Sequence, residues 1–416
     1  MEIKIPYGKA TKNVSIPDNN IAGIIYPDKV KIGDETKTII SAIENPINAK
    51  PFDKFLENAK NILFIVNDAS RSTPTSKILD ILFDKIQGKP VKFLVATGIH
   101  SETTEEELRL IFGKHYVDFR KQIYIHNAKK NEDLAYIGTS KSGTEIWLNK
   151  LCVEADKIIV IGSVEPHYFA GYTGGRKVFL PGIASFKTIE QNHKHALNPE
   201  AKILALENNP VNKDMTDTLE FLSDKEIFSI QTVLDREHKI YSVTAGDIND
   251  SFYSAVDKAN EVFCVKIKEK ADIVVSVAGY PLDVDLYQSQ KAIESGRLAL
   301  KENGILIFVS KCREGIGDKA FFEILASCKT PELVFEKLNK EYKLGYHKAV
   351  KLVELLRIAE IWGVTDLDEN TLKSVFIKSF SSLQEAVDNA IDEKGTTARA
   401  LFLMDGSITV PVCPDF

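Results

Sequence analysis

The chain has 416 residues, of which 44% are apolar and 27% are charged, and its formal net charge is −6. These values are ordinary for a globular protein of two to three domains, and the negative charge argues against a nucleic-acid-binding surface, which would need a basic patch. No stretch approaches the roughly 20 apolar residues of a membrane span, and residues 1–17 lack the basic start and apolar core of a signal peptide.

The cysteine content also favours a cytoplasmic protein. The five cysteines are far apart and form no CxxC pair: Cys152, Cys264, Cys312, Cys328 and Cys413. This spacing favours reduced thiols over a disulfide framework or a zinc site. We therefore expect a cytoplasmic protein that binds neither a membrane nor a nucleic acid.

In chain order, apolar β-branched segments alternate with polar loops and helical patterns. The predicted strands span 61–66, 91–98, 155–163, 271–279 and 304–310, and the predicted helices span 76–87, 103–112, 185–197 and 286–302. Thr103 or Thr104, with a glutamate three residues later, predicts a capping box at the second helix. Continuous apolar strands alternating with helices predict an α/β fold with mostly parallel sheets.

A charged stretch around residues 265–270 separates two strand-rich halves. We predict an N-terminal domain over residues 1–265 and a C-terminal domain over residues 268–400. The tail, residues 402–416, is predicted to contribute a last strand and an extension. The residues alone do not decide whether this tail packs on the first half.

Polar side chains follow four of the predicted strands. Asp68, Ser70 and Arg71 follow the first, His100 the second, His167 and Lys177 the third, and Tyr287, Gln288 and Lys291 the fourth. Ligands of open α/β sheets bind at the carboxyl ends of the strands. These positions are therefore predicted to lie at a functional edge.

Most of these residues also have a structural interpretation. Asp68 and Ser70 can cap the next helix, and Arg71 can pair with a carboxylate, although its position at a strand end favours anion binding. In its structural interpretation, the sole role of His100 is to polarise a turn. His193 and His195 lie two positions apart on a predicted helix and do not share a face, so at most one of them should point into a site. His115, His126 and His238 are predicted to be structural.

The most distinctive motif is "HYFAGYTGGRKVFLPG" at residues 167–182. It is not a Walker A loop, because Gly175 is followed by Arg176, Lys177 and Val178, and the GxGxxG spacing is absent as well. Glycines in this loop (Gly171, Gly174 and Gly175) allow backbone N–H groups to approach an anion, and Lys177 would then lie against the anion or act as a nucleophile. A glycine-rich turn with a solvated Arg–Lys pair explains the motif equally well.

Four segments, taken together, resemble the lactate racemase family, whose members use a nickel-pincer nucleotide. They are "NDASRSTPT", "ATGIHSETTEEE", "EPHYFAGYTGGRKVFLPGIASFKTIEQNH" and "DLYQSQKA". They occur in the family order between residues 68 and 291, and the flanking sequence is compatible. The resemblance implies two α/β domains, a cofactor-binding N-terminal one and a substrate-binding C-terminal one, with the active-site cleft between them and the tail joined to the first.

The resemblance also implies a role for individual residues. Nickel(II) pyridinium-3,5-bisthiocarboxylic acid mononucleotide would be attached covalently at Lys177, with His193 as the protein ligand to nickel. His100 and His167 would be the acid–base pair. The implied cofactor contacts are Asp68, Ala69, Ser70, Arg71, Gly174 and Gly175, and the implied substrate contacts are Arg71, Tyr287, Gln288 and Lys291. The implied partners are a 2-hydroxy-acid substrate and the proteins that make the cofactor.

Two departures from the family pattern stand out. The lactate-specific enzymes carry a tryptophan in the C-terminal domain, where "GYHKAVKL" here offers His347 and Lys348, and Trp362 lies in another register. A larger or more anionic substrate is therefore expected. The proline that commonly follows the arginine of the first motif is also replaced, which leaves Asp68 and Arg71 intact.

Three functions compete. The first is racemisation or epimerisation of a 2-hydroxy acid, lactate or a larger one, by reversible hydride transfer with two histidines as acid and base. The second is an oxidoreductase that moves hydride between two different acids with the same cofactor. The third is a nucleotide- or anion-binding protein without chemistry, against which the two histidines argue. A zinc hydrolase has little support, because no HExxH or comparable ligand set occurs.

Overall fold

The computed structural model describes residues 1–100, 102–338 and 340–414. The contacts between Cα atoms divide the chain into two compact units. We call Lys29–Val262 the central unit, and Met1–Asp28 together with Phe263–Phe416 the terminal unit. The central unit is therefore an insertion in the sequence of the terminal unit.

Most strands of both units are short and apolar. They are β1 (Glu2–Tyr7), β2 (Ala10–Ser15), β3 (Ile21–Ile25), β4 (Ile62–Asn67), β5 (Val91–Ala96), β6 (Ile123–Ile125), β7 (Leu134–Thr139), β8 (Glu145–Asn149), β9 (Lys157–Ser163), β10 (Pro166–His167), β11 (Gly171–Tyr172), β12 (Glu226–Leu234), β13 (Ile240–Gly246), β14 (Cys264–Lys266), β15 (Ala271–Val277), β16 (Leu300–Val309), β17 (Ala359–Val364), β18 (Lys378–Ser379), β19 (Ala400–Leu403) and β20 (Val410–Val412).

Helices follow most of the long strands. They are α1 (Glu35–Glu44), α2 (Phe52–Phe55), α3 (Thr75–Ile86), α4 (Glu105–Phe112), α5 (Tyr116–Phe119), α6 (Lys150–Glu154), α7 (Phe186–Lys194), α8 (Pro210–Glu220), α9 (Ile248–Phe263), α10 (Leu286–Leu298), α11 (Lys319–Ala326), α12 (Pro331–Leu338), α13 (Tyr346–Leu356), α14 (Glu369–Ser374) and α15 (Leu383–Lys394). Within the described residues, none of them combines the length and apolarity that crossing a bilayer requires.

The central unit is built on a six-stranded sheet with the strand order β13-β12-β9-β4-β5-β6. All neighbours are parallel except β12 and β13, which are antiparallel. The residues of β4 and β9 are almost all buried, as expected for strands covered on both faces. Phe64 and Phe93, stacked with ring centroids 4.9 Å apart, lie in the core of this unit together with the apolar faces of α1 and α3.

The terminal unit contains a second six-stranded sheet with the strand order β18-β17-β16-β15-β19-β3. All of its neighbouring strands are parallel. The β1–β2 hairpin contributes Ile3, Ile5, Val14 and Ile16 to the core of this unit. The predicted α/β class with mostly parallel sheets is therefore confirmed for both units.

The unit boundaries differ from the predicted ones at the N-terminus. Residues 1–28 were predicted to belong with the first half, but β3 pairs with β19 and the hairpin packs into the core of the terminal unit. The resemblance implied that the tail joins the first domain, but the tail also lies in the terminal unit, where β20 pairs with β14. Strand pairing over such long sequence distances leaves no local signal, and residues 415 and 416 of the tail lie outside the described residues.

Candidate active site

The three predicted strands that precede Asp68, His100 and the glycine loop are β4, β5 and β9, respectively, and they lie side by side in the central sheet in the order β9-β4-β5. The loops at their carboxyl ends are joined to one another. Arg71 Nη1 lies 2.9 Å from Glu165 Oε1, and the Gly98 N–H donates to the Gly182 carbonyl at 2.9 Å. The structure therefore brings the residues of three separate motifs to one edge of one sheet.

Asp68 and His100 form a direct pair at this edge. Asp68 Oδ2 lies 2.6 Å from His100 Nδ1, and the Ser70 hydroxyl donates to Asp68 Oδ1 at 2.5 Å. Helix α3 begins at Thr75 without a side-chain cap, so the interpretation of Asp68 and Ser70 as helix caps is wrong. Because the carboxylate accepts a hydrogen bond from Nδ1, the proton exchange of this imidazole is directed to Nε2.

The charge of Asp68 is maintained by its neighbours. Burial alone would raise the pKa of Asp68, but the hydrogen bonds from His100 and Ser70 and the charge of Arg71 lower it below its ordinary value. Asp68 is 7% exposed, whereas the His100 side chain is 45% exposed. The pair therefore consists of a buried anion and an oriented imidazole that is open to solvent.

Arg71 forms an ion pair with Glu165, and both side chains are largely buried. The loop that carries Glu165 is itself held in place, because the Glu165 N–H donates to Thr173 Oγ1 at 3.0 Å and the Thr173 hydroxyl donates to the Ser163 carbonyl at 2.9 Å. Ala69, between the polar residues of this motif, packs against the core of the central unit. The guanidinium of Arg71 is thus fixed by a carboxylate that sequence reasoning did not identify.

Phe169, which is 2% exposed, lies at the centre of a second group of side chains. Its ring centroid is 4.6 Å from the ring of His167 and 5.0 Å from the ring of His193. Lys177 Nζ lies 5.6 Å from the same centroid. Three residues to which the resemblance gives three different roles therefore surround one aromatic ring.

His167 is buried on β10 and differs from His100 in its hydrogen bonding. The backbone N–H of Ala170 donates to His167 Nδ1 at 3.2 Å. A neutral imidazole that accepts a hydrogen bond at one nitrogen carries its proton on the other. His167 therefore presents an Nε2 that bears a proton, whereas the bond to Asp68 gives His100 the opposite tautomer.

The glycine loop forms a short 3₁₀ turn over Gly175–Val178. Both Gly174 and Gly175 have positive φ, at +82° and +51°, which favours glycine. A Cβ on Gly174 would lie 2.5 Å from Val164 and 2.7 Å from the side-chain oxygen of Gln231. The Gly175 N–H donates to this same oxygen at 3.0 Å, so it is used inside the protein and does not serve as the anion donor that was predicted.

Arg176 and Lys177 have opposite environments. Arg176 is 2% exposed, donates to Asn212 Oδ1 and lies over the ring of Phe252 at 4.5 Å. The interpretation of the loop as a turn with a solvated Arg–Lys pair is therefore wrong. The loop is clamped through Arg176 and Gln231, which leaves Lys177 to face Phe169.

His193 and His195 do not share an environment, as their spacing predicted. His195 Nε2 lies 4.0 Å from Asp214, and only His193 contacts Phe169. Burial and the neighbouring Lys177 cation lower the pKa of His193 to about 3, which keeps the ring neutral. Within residues 1–100, 102–338 and 340–414, no three His, Cys, Asp or Glu side chains cluster as a metal site.

Tyr287, Gln288 and Lys291 lie in the terminal unit, on the first turns of α10. Asp285 caps this helix by accepting from the Gln288 N–H at 2.6 Å. Lys348 on α13 lies over the Tyr287 ring, 3.8 Å from its centroid, and donates to the Tyr287 carbonyl. The predicted substrate contacts thus share a helix turn, with an additional lysine beside them.

Trp362 is part of the apolar core of the terminal unit. It is fully buried on β17 and stacks on Phe380 with ring centroids 4.7 Å apart. His347 is also buried, with its Nδ1 3.1 Å from the Tyr342 hydroxyl. Trp362 is therefore a core residue, and Lys348 is the residue of "GYHKAVKL" that contacts Tyr287.

Sequence reasoning missed four residues that build the site: Glu165, Phe169, Asn212 and Gln231. Glu165 and Phe169 lie inside the quoted motif, but an isolated carboxylate and a phenylalanine carry no chemical signature of their own. Asn212 and Gln231 lie on α8 and β12, outside any motif. Their roles depend on contacts across the fold, which local sequence does not encode.

Two family models match the chain. The model of the lactate racemase N-terminal domain matches residues 7–203, and that of the lactate racemase C-terminal domain matches residues 266–412. The chain is 36% identical to a lactate racemase of Thermoanaerobacterium thermosaccharolyticum, covering 97% of each chain. It is 31% identical to a lactate racemase of Lactiplantibacillus plantarum, covering 97% of this chain and 98% of the relative.

Solved structures agree with these matches. The lactate racemase apoprotein of Thermoanaerobacterium thermosaccharolyticum superposes with a TM-score of 0.92 and 33% identity, covering 99% of this chain and all of the other. A crystal structure of a Thermotoga maritima protein matches with a TM-score of 0.69 at 18% identity, covering 92% of this chain and all of the other, which shows a shared fold. The chain is therefore an isomerase that belongs to the lactate racemase family.

Proposed function

We propose that the chain racemises a 2-hydroxy acid, the class of compound to which lactate belongs, with His100 and His167 as the proton-transferring residues. The observation that carries this proposal is the convergence of His167, Lys177 and His193 on Phe169. The segment that bears His167 and Lys177 is joined to the loops of the Asp68–His100 pair. An amine, a neutral imidazole and two oriented histidines are the groups that the reaction needs from the protein.

The donor set fits a nickel-pincer nucleotide. Lys177 supplies an amine for covalent attachment, and His193 supplies a neutral imidazole, a ligand that suits nickel. A protein that provides a single imidazole agrees with a metal held mainly by the sulfur and carbon atoms of its own nucleotide. When bound, the nucleotide supplies the hydride-accepting chemistry.

The two histidines suit the proton transfers on either side of the substrate. His100 is oriented by Asp68 to accept the hydroxyl proton at Nε2, and His167 is oriented by the Ala170 N–H to donate a proton from Nε2. Inversion of one carbon centre needs such a pair, and the roles exchange when the opposite enantiomer is the substrate. We assign the substrate carboxylate to Gln288 and Lys291 on α10.

The two competing functions have less support. A binding protein has no use for a histidine whose tautomer is fixed by a buried carboxylate. An oxidoreductase would use the same residues, but the two relatives with more than 30% identity are both named as racemases. Racemisation without net oxidation of the acid distinguishes the two enzyme classes.

The first test measures intact mass and nickel content of protein produced together with the proteins that make the cofactor. We expect a mass increase of one nucleotide, abolished in Lys177→Ala and retained in Lys187→Ala, a lysine on α7 that pairs with Glu145. About one nickel per chain should be present. It should be lost in His193→Ala and retained in the matched variant His195→Ala.

The second test follows one enantiomer of lactate and of other 2-hydroxy acids by chiral chromatography. Conversion to a racemate without accumulation of the 2-oxo acid supports the proposal. An unchanged mass and no nickel, with a working cofactor pathway shown on another racemase, would reject the cofactor assignment. A loaded protein that oxidises one acid while reducing another would favour the oxidoreductase.

A further inference from the structure

Asn192 contacts the imidazole of His193 inside the central unit. Asn192 lies on α7 and is fully buried, and its side-chain oxygen Oδ1 lies 3.2 Å from His193 Nδ1. An amide oxygen at this place accepts a proton from Nδ1, whereas an amide nitrogen would donate one to it. The orientation of the Asn192 amide therefore decides which ring nitrogen of His193 bears the proton.

The contacts on the other side of the amide fix its orientation. Asn192 Nδ2 lies 3.2 Å from the Val211 carbonyl oxygen and 3.0 Å from Asp214 Oδ2. Carbonyl and carboxylate oxygens accept hydrogen bonds, so the group that faces them is the amide NH₂. The reversed amide would place its own oxygen against these two oxygens. The Asn192 oxygen therefore faces His193, and His193 Nδ1 is the donor.

Asp214 is itself held in place by a residue outside both helices. It is fully buried on α8, and its Oδ1 accepts from the hydroxyl of Ser140, in the turn between β7 and β8. The Thr144 N–H donates to Ser140 Oγ at 3.1 Å, which leaves the hydroxyl proton for Asp214. A chain of hydrogen bonds thus runs from this turn through α8 to α7, and each partner sets the direction of the next bond.

We infer that Asn192 is a positioning residue that selects the His193 tautomer with its proton on Nδ1, so that Nε2 is the nitrogen that binds nickel. The inference rests on the proposed function, because it takes His193 as the nickel ligand. An imidazole binds a metal through a nitrogen that carries no proton, and the other ring nitrogen of such a histidine usually donates to a fixed acceptor. In this chain the acceptor is already in place in the protein alone.

The first measurement is the tautomer of His193 in protein produced without the proteins that make the cofactor. Long-range ¹H–¹⁵N correlation spectra of ¹⁵N-histidine-labelled protein report the protonation of each ring nitrogen, and His193→Gln identifies the His193 signals. We expect a protonated Nδ1 and an unprotonated Nε2 in the wild type, and the form protonated at Nε2 should appear in Asn192→Leu. A wild-type His193 that is protonated only at Nε2 overturns the inference, and this result needs no variant that folds.

The second measurement is the rate at which a chelator removes nickel from protein whose nucleotide addition at Lys177 has been verified by mass. Asn192→Leu should release nickel about 10- to 100-fold faster than wild type, in line with the loss of metal affinity that follows removal of a ligand's hydrogen-bond partner. Thr188→Val is the matched control, because Thr188 is also fully buried on α7 and its hydroxyl donates to the Glu145 carbonyl at 2.7 Å. This variant should release nickel at the wild-type rate.

The outcomes separate this inference from the proposed function. Loaded Asn192→Leu that retains nickel as well as wild type overturns the inference and leaves the proposed function standing. Equally fast release from Thr188→Val assigns the effect to the packing of α7 and also overturns the inference. Wild-type protein that carries neither the nucleotide nor nickel, with a working cofactor pathway, overturns the proposed function and with it the role of Asn192 toward the metal.

Discussion

At the scale of single residues, the hydrogen bond that His100 donates to Asp68 orients an exposed histidine. The His100 side chain is 45% exposed, yet its Nδ1 is held 2.6 Å from a buried carboxylate. Exposure gives the ring access to a substrate, and the carboxylate fixes its tautomer. Asp68 is therefore a positioning residue that acts through the orientation and tautomer of His100.

Asp68→Asn should lower kcat for racemisation by at least about 100-fold, because general acid–base catalysis contributes about 10²–10⁴-fold and the amide no longer selects one tautomer. The measurement is kcat and KM of cofactor-loaded protein, in which the loss should fall on kcat and not on KM. Ser70→Ala removes only the hydroxyl that donates to Asp68 and should cost less than about ten-fold. Equal losses in both variants would contradict the assignment.

The same carboxylate predicts a dependence of stability on pH. The pKa of Asp68 is lower in the folded protein than in the unfolded chain, so its ionised form stabilises the fold above the unfolded pKa of about 4. This contribution is lost as the pH falls through the folded pKa. The melting temperatures of wild type and Asp68→Asn should therefore differ near pH 6 and converge below about pH 4. A constant difference across that range would exclude the linkage.

Lys348 predicts a second dependence of stability on pH, in the alkaline range. Its pKa falls from about 10.5 in the unfolded chain to about 7 in the folded protein, so between these values the unfolded chain binds more protons and stability rises with pH. Lys348→Met should abolish this rise and stabilise the terminal unit by about 1–3 kcal/mol at pH 7. Scanning calorimetry at pH 7 and pH 9.5 measures both effects, and a lower melting temperature in the variant at pH 7 would refute them.

The sequence alone was enough to single out residues whose side-chain type itself indicates a chemical role. In the central unit, Asp68 pairs with His100, and His167, Lys177 and His193 surround Phe169. Their partners were not identified, because Gln231 and Asn212 are ordinary polar residues until the fold places them under the glycine loop. Their role in the site follows from their contacts in the folded protein and not from their residue type.

At the scale of elements, the 3₁₀ turn at Gly175–Val178 shows how a loop can be made rigid. One clamp is the Gly175 N–H bond to Gln231, whose own Nε2 donates to Ser229 Oγ at 2.6 Å. The other clamp is the buried guanidinium of Arg176 between Asn212 and Phe252. With the two preceding residues fixed, the backbone of Lys177 has little freedom to turn away from Phe169.

Gln231→Leu should slow or abolish nucleotide addition at Lys177, because the Gly175 N–H would be left buried without its acceptor at a cost of about 1–3 kcal/mol. The measurement is the time course of the intact-mass increase, with calorimetry to follow stability. Thr232→Val is the matched control on the same strand, since its hydroxyl donates to the Gly162 carbonyl. Equal destabilisation with equal loss of modification in both variants would argue against a specific clamp.

Element boundaries were predicted less well than element identity. The helical pattern was extended to residue 302, whereas α10 ends at Leu298 and β16 begins at Leu300. Leu300 pairs with Ala271 of β15, and this tertiary pairing overrides the local helical pattern. The capping box, in contrast, is local, and it forms as predicted between Thr104 and Glu107.

At the scale of the whole molecule, the chain is one unit inserted into another. Among the described residues, the apolar cluster around Phe64 and Phe93 is formed by residues of the central unit. The core of the terminal unit combines the β1–β2 hairpin with strands from the C-terminal third of the chain. The distant pairing of β3 with β19 was the part of the fold that sequence patterns missed, since each strand is short and neither contains a partner-specific signal.

This arrangement predicts the behaviour of fragments. Residues 29–262 should fold cooperatively on their own, whereas residues 263–416 should not, because they lack β3 and the hairpin residues Ile3, Ile5, Val14 and Ile16 of their core. Joining residues 1–28 to residues 263–416 through a flexible linker should restore a cooperative melting transition. Calorimetry of the three fragments is the measurement, and a cooperative transition in residues 263–416 alone would contradict the prediction.

The pairing of β3 with β19 also affects the order in which the two units fold during translation. The ribosome releases Ile21–Ile25 early, but its partner Ala400–Leu403 is among the last segments to be made. At translation rates of about 5–20 residues per second, the N-terminal strand waits for about 20 to 75 seconds with its hydrogen-bonding edge unpaired. During that interval the central unit can complete its own sheet. Synthesis from the N-terminus therefore lets the central unit fold first, and the sheet of the terminal unit is completed only at the end of translation.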